Sequence, residues 1–576
     1  MQFNSTAFNS VEFNGWEGVE QQETVVVELA DGVRWRLRVV LGGVDVSERL
    51  TGVVSIDREE GGARMAKLNL LPPPGEFDVD TLTGKALFIT RQRLDGGVIE
   101  SETLRFTGET LRPGIDAFTK VVSVTASCVL QKRIELMSIE AINALLPTGY
   151  WSAAVFGELE KHWQYCKDRC STMPGNLDSA PNGSLRYTPW QASSVPHFSL
   201  SADEIIDGSM SLRPADASQL INHIEIELEY RYTRLRHRSH TLSWTHPTSS
   251  FCEWLAESTE LPTQSMLVEA LEQGGWAVIG APMLTVLPPS MPDPCGSGGA
   301  WINRFTDDPH LLSFIATVAK RTSQTFTERY RLTLTASGSV VSFGIQPSRE
   351  RYSDDVEFDA GSWEDLPPTS SPDGATSDGS GDAVIDKDEP GRRENALRTA
   401  MHAERVRMLA SHRLARYDFQ TPITDAVYDT THTFRAVASG LTVQGKAARV
   451  QEAWDMDAGT EIATIELAIS RGGMPVIDSV ISPPGRPVFD LGPAPSGSTV
   501  LATQLGGRVG APEYDEELAS FSGNYSWSAD FVEKYPRRLQ FDTPDIEGRY
   551  RDPVEAEAVA AFQVNIPTDL LLVEVL

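Results

Sequence analysis

Ile224-Glu-Ile-Glu-Leu-Glu-Tyr-Arg-Tyr232 alternates without a break. Ile224, Ile226, Leu228, Tyr230 and Tyr232 fall on one side of an extended chain, and Glu225, Glu227, Glu229 and Arg231 on the other. A period of two marks a strand with one buried and one wet face. Far upstream, Val33-Arg-Trp-Arg-Leu-Arg-Val39 repeats the pattern, with Arg34, Arg36 and Arg38 on its wet side. Two such strands predict antiparallel β scaffold built for surfaces rather than a pocket built for chemistry.

The rest of the chain agrees. Its 576 residues suffice for about three to five domains at ~100–200 residues each. With 45 glycines and 35 prolines it has the punctuation of many turns between short strands. The formal charge of −30 argues against a general nucleic-acid binder, which needs basic patches to neutralise phosphate. Five scattered cysteines, Cys128, Cys166, Cys170, Cys252 and Cys295, do not suggest a disulfide framework. The start lacks the basic and apolar regions of a signal peptide, and no apolar run approaches the ~20 residues of a membrane helix. We therefore expect folding in a reducing cytosol.

Along the chain, residues 1–20 carry Phe3-Asn4, Phe8-Asn9 and Phe13-Asn14 five apart, which suits neither helix nor strand and reads as an extended arm. Residues 21–149 read as strands, closed by an apolar stretch of helical spacing at Ile134–Leu146 before Pro147. Residues 150–216 are rich in aromatics and turns. Residues 217–352 return to β, with a helix over Ser265–Gln273 stopped by Gly274-Gly275. Residues 353–390 are acidic and proline-punctuated and predict a flexible loop. Within 391–475 we expect a helix over Arg393–Arg416 with more than one buried face, then strands at Thr433–Ala438 and Ala463–Ser470, completing the second strand-rich region. Residues 476–576 read as an extended arm with a small β element and a last apolar strand, Leu570–Leu576.

Four clusters invite a chemical reading, and each has a plainer one. Gly440-Leu-Thr-Val-Gln-Gly-Lys446 approaches a phosphate-binding loop, but Ala447 stands where Ser or Thr is needed and the flanks read as strand, so a β-turn fits better. Asp455-Met-Asp457-Ala-Gly459 opens like a calcium loop yet lacks the later ligands; an Asp/Gly hairpin turn is expected. His237, His240 and His246 overlap the end of an arginine-rich run, Arg231, Arg234, Arg236 and Arg238, with no carboxylate or cysteine at metal-ligand spacing, which reads as an exposed basic loop. Cys166 and Cys170 would need Cys128, Cys252 or Cys295 to complete a zinc or iron–sulfur site, and unligated cysteines are the commoner outcome. The sequence nominates no catalytic, cofactor-binding or metal-ligating residue.

Leu41-Gly-Gly-Val-Asp-Val-Ser-Glu-Arg-Leu50 through Ala66-Lys-Leu-Asn-Leu70, then Arg105-Phe-Thr-Gly-Glu109 and Val122-Ser-Val-Thr125, taken in order, resemble the first segment of the baseplate hub proteins of bacteriophage tails. Tyr150-Trp-Ser-Ala-Ala-Val-Phe-Gly157, Trp163-Gln-Tyr165, Asp168-Arg169, Ser171-Thr-Met-Pro-Gly175 and Thr188-Pro-Trp190 resemble the subgroup from long non-contractile tails. Thr263–Gly275 with Trp276, Leu287-Pro-Pro-Ser290, and Gly440–Arg471 with Trp454-Asp-Met-Asp-Ala-Gly459 follow. The resemblance spans residues 20–475 except the acidic stretch 353–390, and the last hundred residues lie outside it. Such hubs are similar to the hub half of type VI secretion spikes. The resemblance implies a mainly β (α+β) fold of two β-barrel-like tube domains with inserted α/β segments and extended terminal arms. It implies a homotrimer that continues the tail tube from the distal tail protein, carries the tip or central fibre, and lets the tape measure protein and DNA pass through its lumen. It places the chain in the virion, at the tail tip, after assembly in the host cytoplasm, with host-envelope contact during ejection.

On that reading Glu225, Glu227 and Glu229 should face the channel or an inter-subunit seam. Two alternatives compete. A tail-tip hydrolase would have to occupy 353–390 or 476–576, which are short or irregular. A receptor-binding protein would expose aromatics such as Tyr525, Trp527 and Tyr535.

Overall fold

The computed structural model describes residues 34–576 except 76, 248–250, 258, 357–375, 378–382, 475–480, 492–496, 508–509, 526–533, 544 and 575–576. The expected N-terminal arm, Trp527 and most of the acidic stretch lie outside the described residues.

The first half of one large sheet comes from β1 (Arg34–Leu41), β2 (Leu50–Glu59), β3 (Met65–Leu70), β4 (Ala86–Asp95), β5 (Val98–Thr110) and β6 (Val122–Ser127). Two exceptionally long strands follow, β7 (His223–Thr245) and β8 (Leu311–Thr335), and then β9 (Pro347–Asp355). The chain next forms β10 (Ala415–Pro422), β11 (Thr433–Ala438), β12 (Leu441–Asp455) and β13 (Thr460–Ile469), and near its end β14 (Val554–Gln563) and β15 (Leu571–Val573). The principal helices are α1 (His162–Cys170), α2 (Gln264–Gln273) and α3 (Pro390–Ser411). The protein is mainly β with some α, as the alternating strands predict.

The first sheet runs from residues 211–213 through β10, β13, β12, β2, β3, β6, β5, β4 and β1 to residues 44–45, every neighbouring pair antiparallel. The path is open, because its two ends do not pair among the described residues. β10 to β13, grouped by sequence with the second strand-rich region, hydrogen-bond into this first sheet. The junction is β12 against β2, with Trp454 opposite Val54 and Glu452 opposite Ile56. A bulge between Ala447 and Arg449 lets β12 leave β11 and take up β2. Inward residues of both halves, among them Leu37, Val39, Val54, Ile56, Phe106, Tyr417, Phe419 and Trp454, share one core.

The second sheet is built on β7 and β8, which pair antiparallel from His223 opposite Thr335 to Thr245 opposite Ser313. At one end β9 joins β7 in parallel and β14 joins β8 in parallel, giving the order β9-β7-β8-β14. α3 packs on the inner face there, its Leu397, Ala400, Met401 and Met408 against Ile226, Leu228, Tyr330 and Leu332. At the other end Leu242, Trp244, Phe314 and Val318 form a separate core with α2 and with Leu501, Leu505, Phe521, Leu539 and Phe541.

Local signals explain several boundaries. Ile134–Leu146, expected as one helix, is two, Leu130–Glu135 and Ile139–Leu145, because Ser138 caps the second by accepting the Ala141 N–H at 3.3 Å. α3 starts at Pro390, where a missing N–H is harmless, and ends at Ser411 rather than Arg416. Beyond it Ala415, Tyr417, Phe419 and Thr421 point inward with period two, and the strand takes over. α2 is capped by Thr263 and followed by Gly275 at φ 72°. The described ends of the acidic stretch are strands as well, β9 and residues 383–387. The C-terminal segment is woven in more deeply than an arm: β14 extends the second sheet and β15 pairs with β12 of the first.

Cys252 and Cys295 are joined in a disulfide with Cα atoms 5.6 Å apart, a pairing that the scattered cysteines of the sequence did not suggest. Phe251 and Trp254, beside Cys252 in sequence, pack tilted and edge-on with each other and with Trp301. Sequence spacing carries no trace of that packing. No described helix is long and apolar enough to cross a membrane.

Candidate functional site

The outer face of the β9-β7-β8-β14 sheet carries its charges in rows. Alternation along each strand puts Arg349 and Arg351 of β9, Glu225, Glu227 and Glu229 of β7, Arg329 and Arg331 of β8, and Glu555 and Glu557 of β14 on the same side. Registration then sets opposite charges beside each other. Arg349 meets Glu225 at 2.7 Å and Arg351 meets Glu227 at 2.9 Å. Arg329 meets Glu229 at 2.9 Å and Glu555 at 3.3 Å, and Arg331 meets Glu557 at 3.1 Å. A hydrogen bond from Arg329 holds the Glu229 carboxyl below its ordinary pKa in spite of partial burial. The glutamates singled out by sequence are therefore on a wet face, as expected, and are neutralised within the chain by arginines on both flanking strands.

A second charged cluster is entirely internal. Glu452 of β12 accepts from Arg58 of β2 at 2.6 Å and from Arg105 of β5 at 2.9 Å, with all three side chains nearly inaccessible. Arg105 also donates to the carbonyls of Thr424 and Ala426, and Arg58 to that of Tyr428, so the pair fixes the 423–432 loop. Next to it Asp429 receives Arg64 at 3.0 Å and Arg186 at 2.9 Å, and Arg186 reaches on to Asp178 at 2.7 Å. This chain of ions fastens the 175–189 hairpin to the first sheet. Burial pushes Asp429 up, but Arg64, Arg58 and Arg186 outweigh it and hold the carboxyl down at about 2. Burial and the nearby Arg58 charge lower Arg64 to about 10.

The clusters weighed from sequence take these places. Ser439 and Gly440, both at positive φ, make the tight turn between β11 and β12, so the lysine-containing stretch is a hairpin. Lys446 is buried, donates to the Pro189 carbonyl, and is lowered by burial to about 8. Asp455 accepts the Asp457 and Ala458 N–H groups at 2.9 Å each, the hairpin turn expected there. The expected basic loop is instead the continuation of β7. Arg236 is buried with its guanidinium 4.6 Å from the Tyr550 ring centre, and Arg238 lies 4.9 Å from the same ring. His240 stacks on Trp276, and His246 bonds Thr259 at 2.9 Å. Cys128 and Cys166 are buried in one small core with Cys170 at its margin, and the Cys252–Cys295 disulfide takes the other two. Among the described residues no group of His, Cys, Asp and Glu is disposed to hold a metal ion. Tyr525 and Tyr535, weighed as exposed receptor contacts, are buried.

Sequence reading missed the outer members of the charged face. Val554-Glu-Ala-Glu-Ala-Val559 and Ser348-Arg-Glu-Arg-Tyr352 alternate, and that signal was available. The buried Arg58, Arg105 and Glu452 had no such signal, because charge on an alternating strand ordinarily marks its wet side.

No protein-family model and no curated protein matches the chain. Among solved structures it is similar to a tail protein from Neisseria meningitidis MC58, at 10% identity over 76% of this chain and 96% of that one, with a TM-score of 0.35. It is similar also to the 43 kDa tail protein of prophage MuSo2 from Shewanella oneidensis, at 11% identity over 75% and 98% with a TM-score of 0.34. A third is the prophage tail protein gp18 from Listeria monocytogenes EGD-e, at 9% identity over 75% and 94% with a TM-score of 0.32.

Proposed function

We propose that this chain is a structural component of a bacteriophage tail, and within it the homotrimeric baseplate hub. In this role it joins the tail tube and distal tail protein to the tip or central fibre and surrounds the passage for the tape measure protein and DNA. The observation that carries the reading is the ordered series of hub-like motifs between Leu41 and Arg471. Their positions are those of structural joints. Arg105 lies in the ionic centre, Trp454 in the first core, and Tyr150–Gly157 and Trp190 beside the second. The net charge of −30 suits a wall past which DNA must slide without sticking. Such a role is mechanical and interfacial and needs no catalytic residue. The test is composition and imaging of purified particles. The chain should be present in three copies per tail, and labelled chain should appear at the tail tip by electron microscopy. Absence from particles, or a monomer at every concentration, would overturn the reading.

A further inference from the structure

The charged face ends in two open edges of opposite sign. Among the described residues no strand pairs with the outer edge of β9, which carries Arg349 and Arg351, or with that of β14, which carries Glu555 and Glu557. These edges are nine and ten residues long. Long open edges are templates for another strand, and proteins ordinarily blunt them. Here the outermost side chains keep capacity: Arg349 and Arg351 are 78% and 85% exposed although each already meets one glutamate. The inward residues of β14, Val554, Ala558, Ala560 and Phe562, are only partly buried against the second core, as an apolar row is when one flank is uncovered.

We infer that β14 of one copy of this chain pairs antiparallel with β9 of the next, joining copies head to tail into a ring. The direction follows from the topology. β9 runs with β7, β7 against β8, and β8 with β14, so β9 and β14 run oppositely within one chain. Rotation about a ring axis preserves that sense. The charges choose the partner. Across the chain the rows read arginine, glutamate, arginine, glutamate, and a second copy placed head to tail continues the series. In the registers centred on the charged residues, the two-fold alternatives set glutamate against glutamate at β14, or arginine against arginine at β9, and like charges directly opposite are destabilising. A heterologous contact of this kind closes into a ring when its rotation allows. Only one antiparallel alignment opposes both glutamates to arginines: Glu557 to Arg349 and Glu555 to Arg351. The inference deepens the homotrimer reading and rests on it for the number of copies.

The full chain carrying Glu557→Cys together with Arg349→Cys tests the pairing after mild oxidation, because cross-strand partners are close enough to bridge. Each single variant and the unaltered chain serve as controls. Covalent dimers and trimers on a denaturing gel are expected from the double variant alone. A cross-link in either single variant by itself would mean two-fold pairing and overturn the inference. So would an oligomer by light scattering whose double variant does not cross-link, and that result leaves the homotrimer reading intact. A chain that is monomeric throughout overturns both. As a second arm, Glu555→Gln with Glu557→Gln removes the row's charge without setting like charges together, and should shift the oligomer toward monomer while the monomer's own fold is kept, since exposed pairs contribute little to folding. Unchanged assembly in that variant overturns the inference.

Discussion

Arg58 and Glu452 meet at 2.6 Å with 1% and 0% of their side chains exposed, and they belong to strands almost four hundred residues apart. The contact joins the N-terminal half of the first sheet to the half contributed by β10 to β13. Glu452→Gln leaves the Arg58 and Arg105 guanidiniums buried without the carboxylate that both of them bond. Breaking a buried pair this way costs about 3–5 kcal/mol. Chemical denaturation should show that loss, whereas Glu225→Gln on the wet face should cost less than about 1 kcal/mol and become neutral at high salt.

Two carboxylates should give opposite pH slopes. Asp429 is held at about 2, below its unfolded value near 3.8, so its contribution is present above that value and is lost as pH falls toward 2. Asp569 is raised by burial to about 6, so its contribution is present below its unfolded value and is lost as pH rises through 6. Asp429→Asn should flatten the acid limb of a urea-midpoint profile. Asp569→Asn should remove the decline between pH 4 and 6 and leave the acid limb in place.

Gly472 has no room for a side chain. A Cβ there would lie 2.2 Å from the Ile566 Cβ and 2.5 Å from its carbonyl oxygen. Gly472→Ala must push the 564–568 segment away, at about 1–3 kcal/mol by the cost of overpacking. Denaturation should record the loss, and limited proteolysis should cut sooner between β14 and β15.

The Cys252–Cys295 bridge closes a sequence separation of 43. The chain-entropy estimate for such a loop is roughly 4 kcal/mol. Replacing both cysteines by serine should lower the melting temperature to that of the reduced protein, and adding reductant to the variant should then change nothing. Mass spectrometry of non-reduced peptides checks the pairing directly.

What could be read in advance was periodicity. The alternation of 224–232 placed Ile224, Leu228 and Tyr230 inward and the glutamates outward, and Gly274-Gly275 stopped α2. What could not be read was company. Nothing local to Leu441–Asp455 says that its neighbour is β2, since that choice is made by Trp454 finding the first core and Glu452 finding two arginines. The arginines of 231–238 looked like a loop because their partners, Asp386 and Tyr550, are far away in sequence. A disulfide between Cys252 and Cys295 likewise depends on the fold bringing together segments 43 residues apart in sequence.

β7 and β8 run side by side through 23 residues, about 75 Å at ~3.3 Å per residue, with one core gripping each end. Tension applied between those ends runs along the strands rather than across them. Every rung of the ladder then resists at once, and none can be peeled singly. The ribbon is thus a tie rod: whatever pulls on the Trp244 end is felt by the charged face at the other.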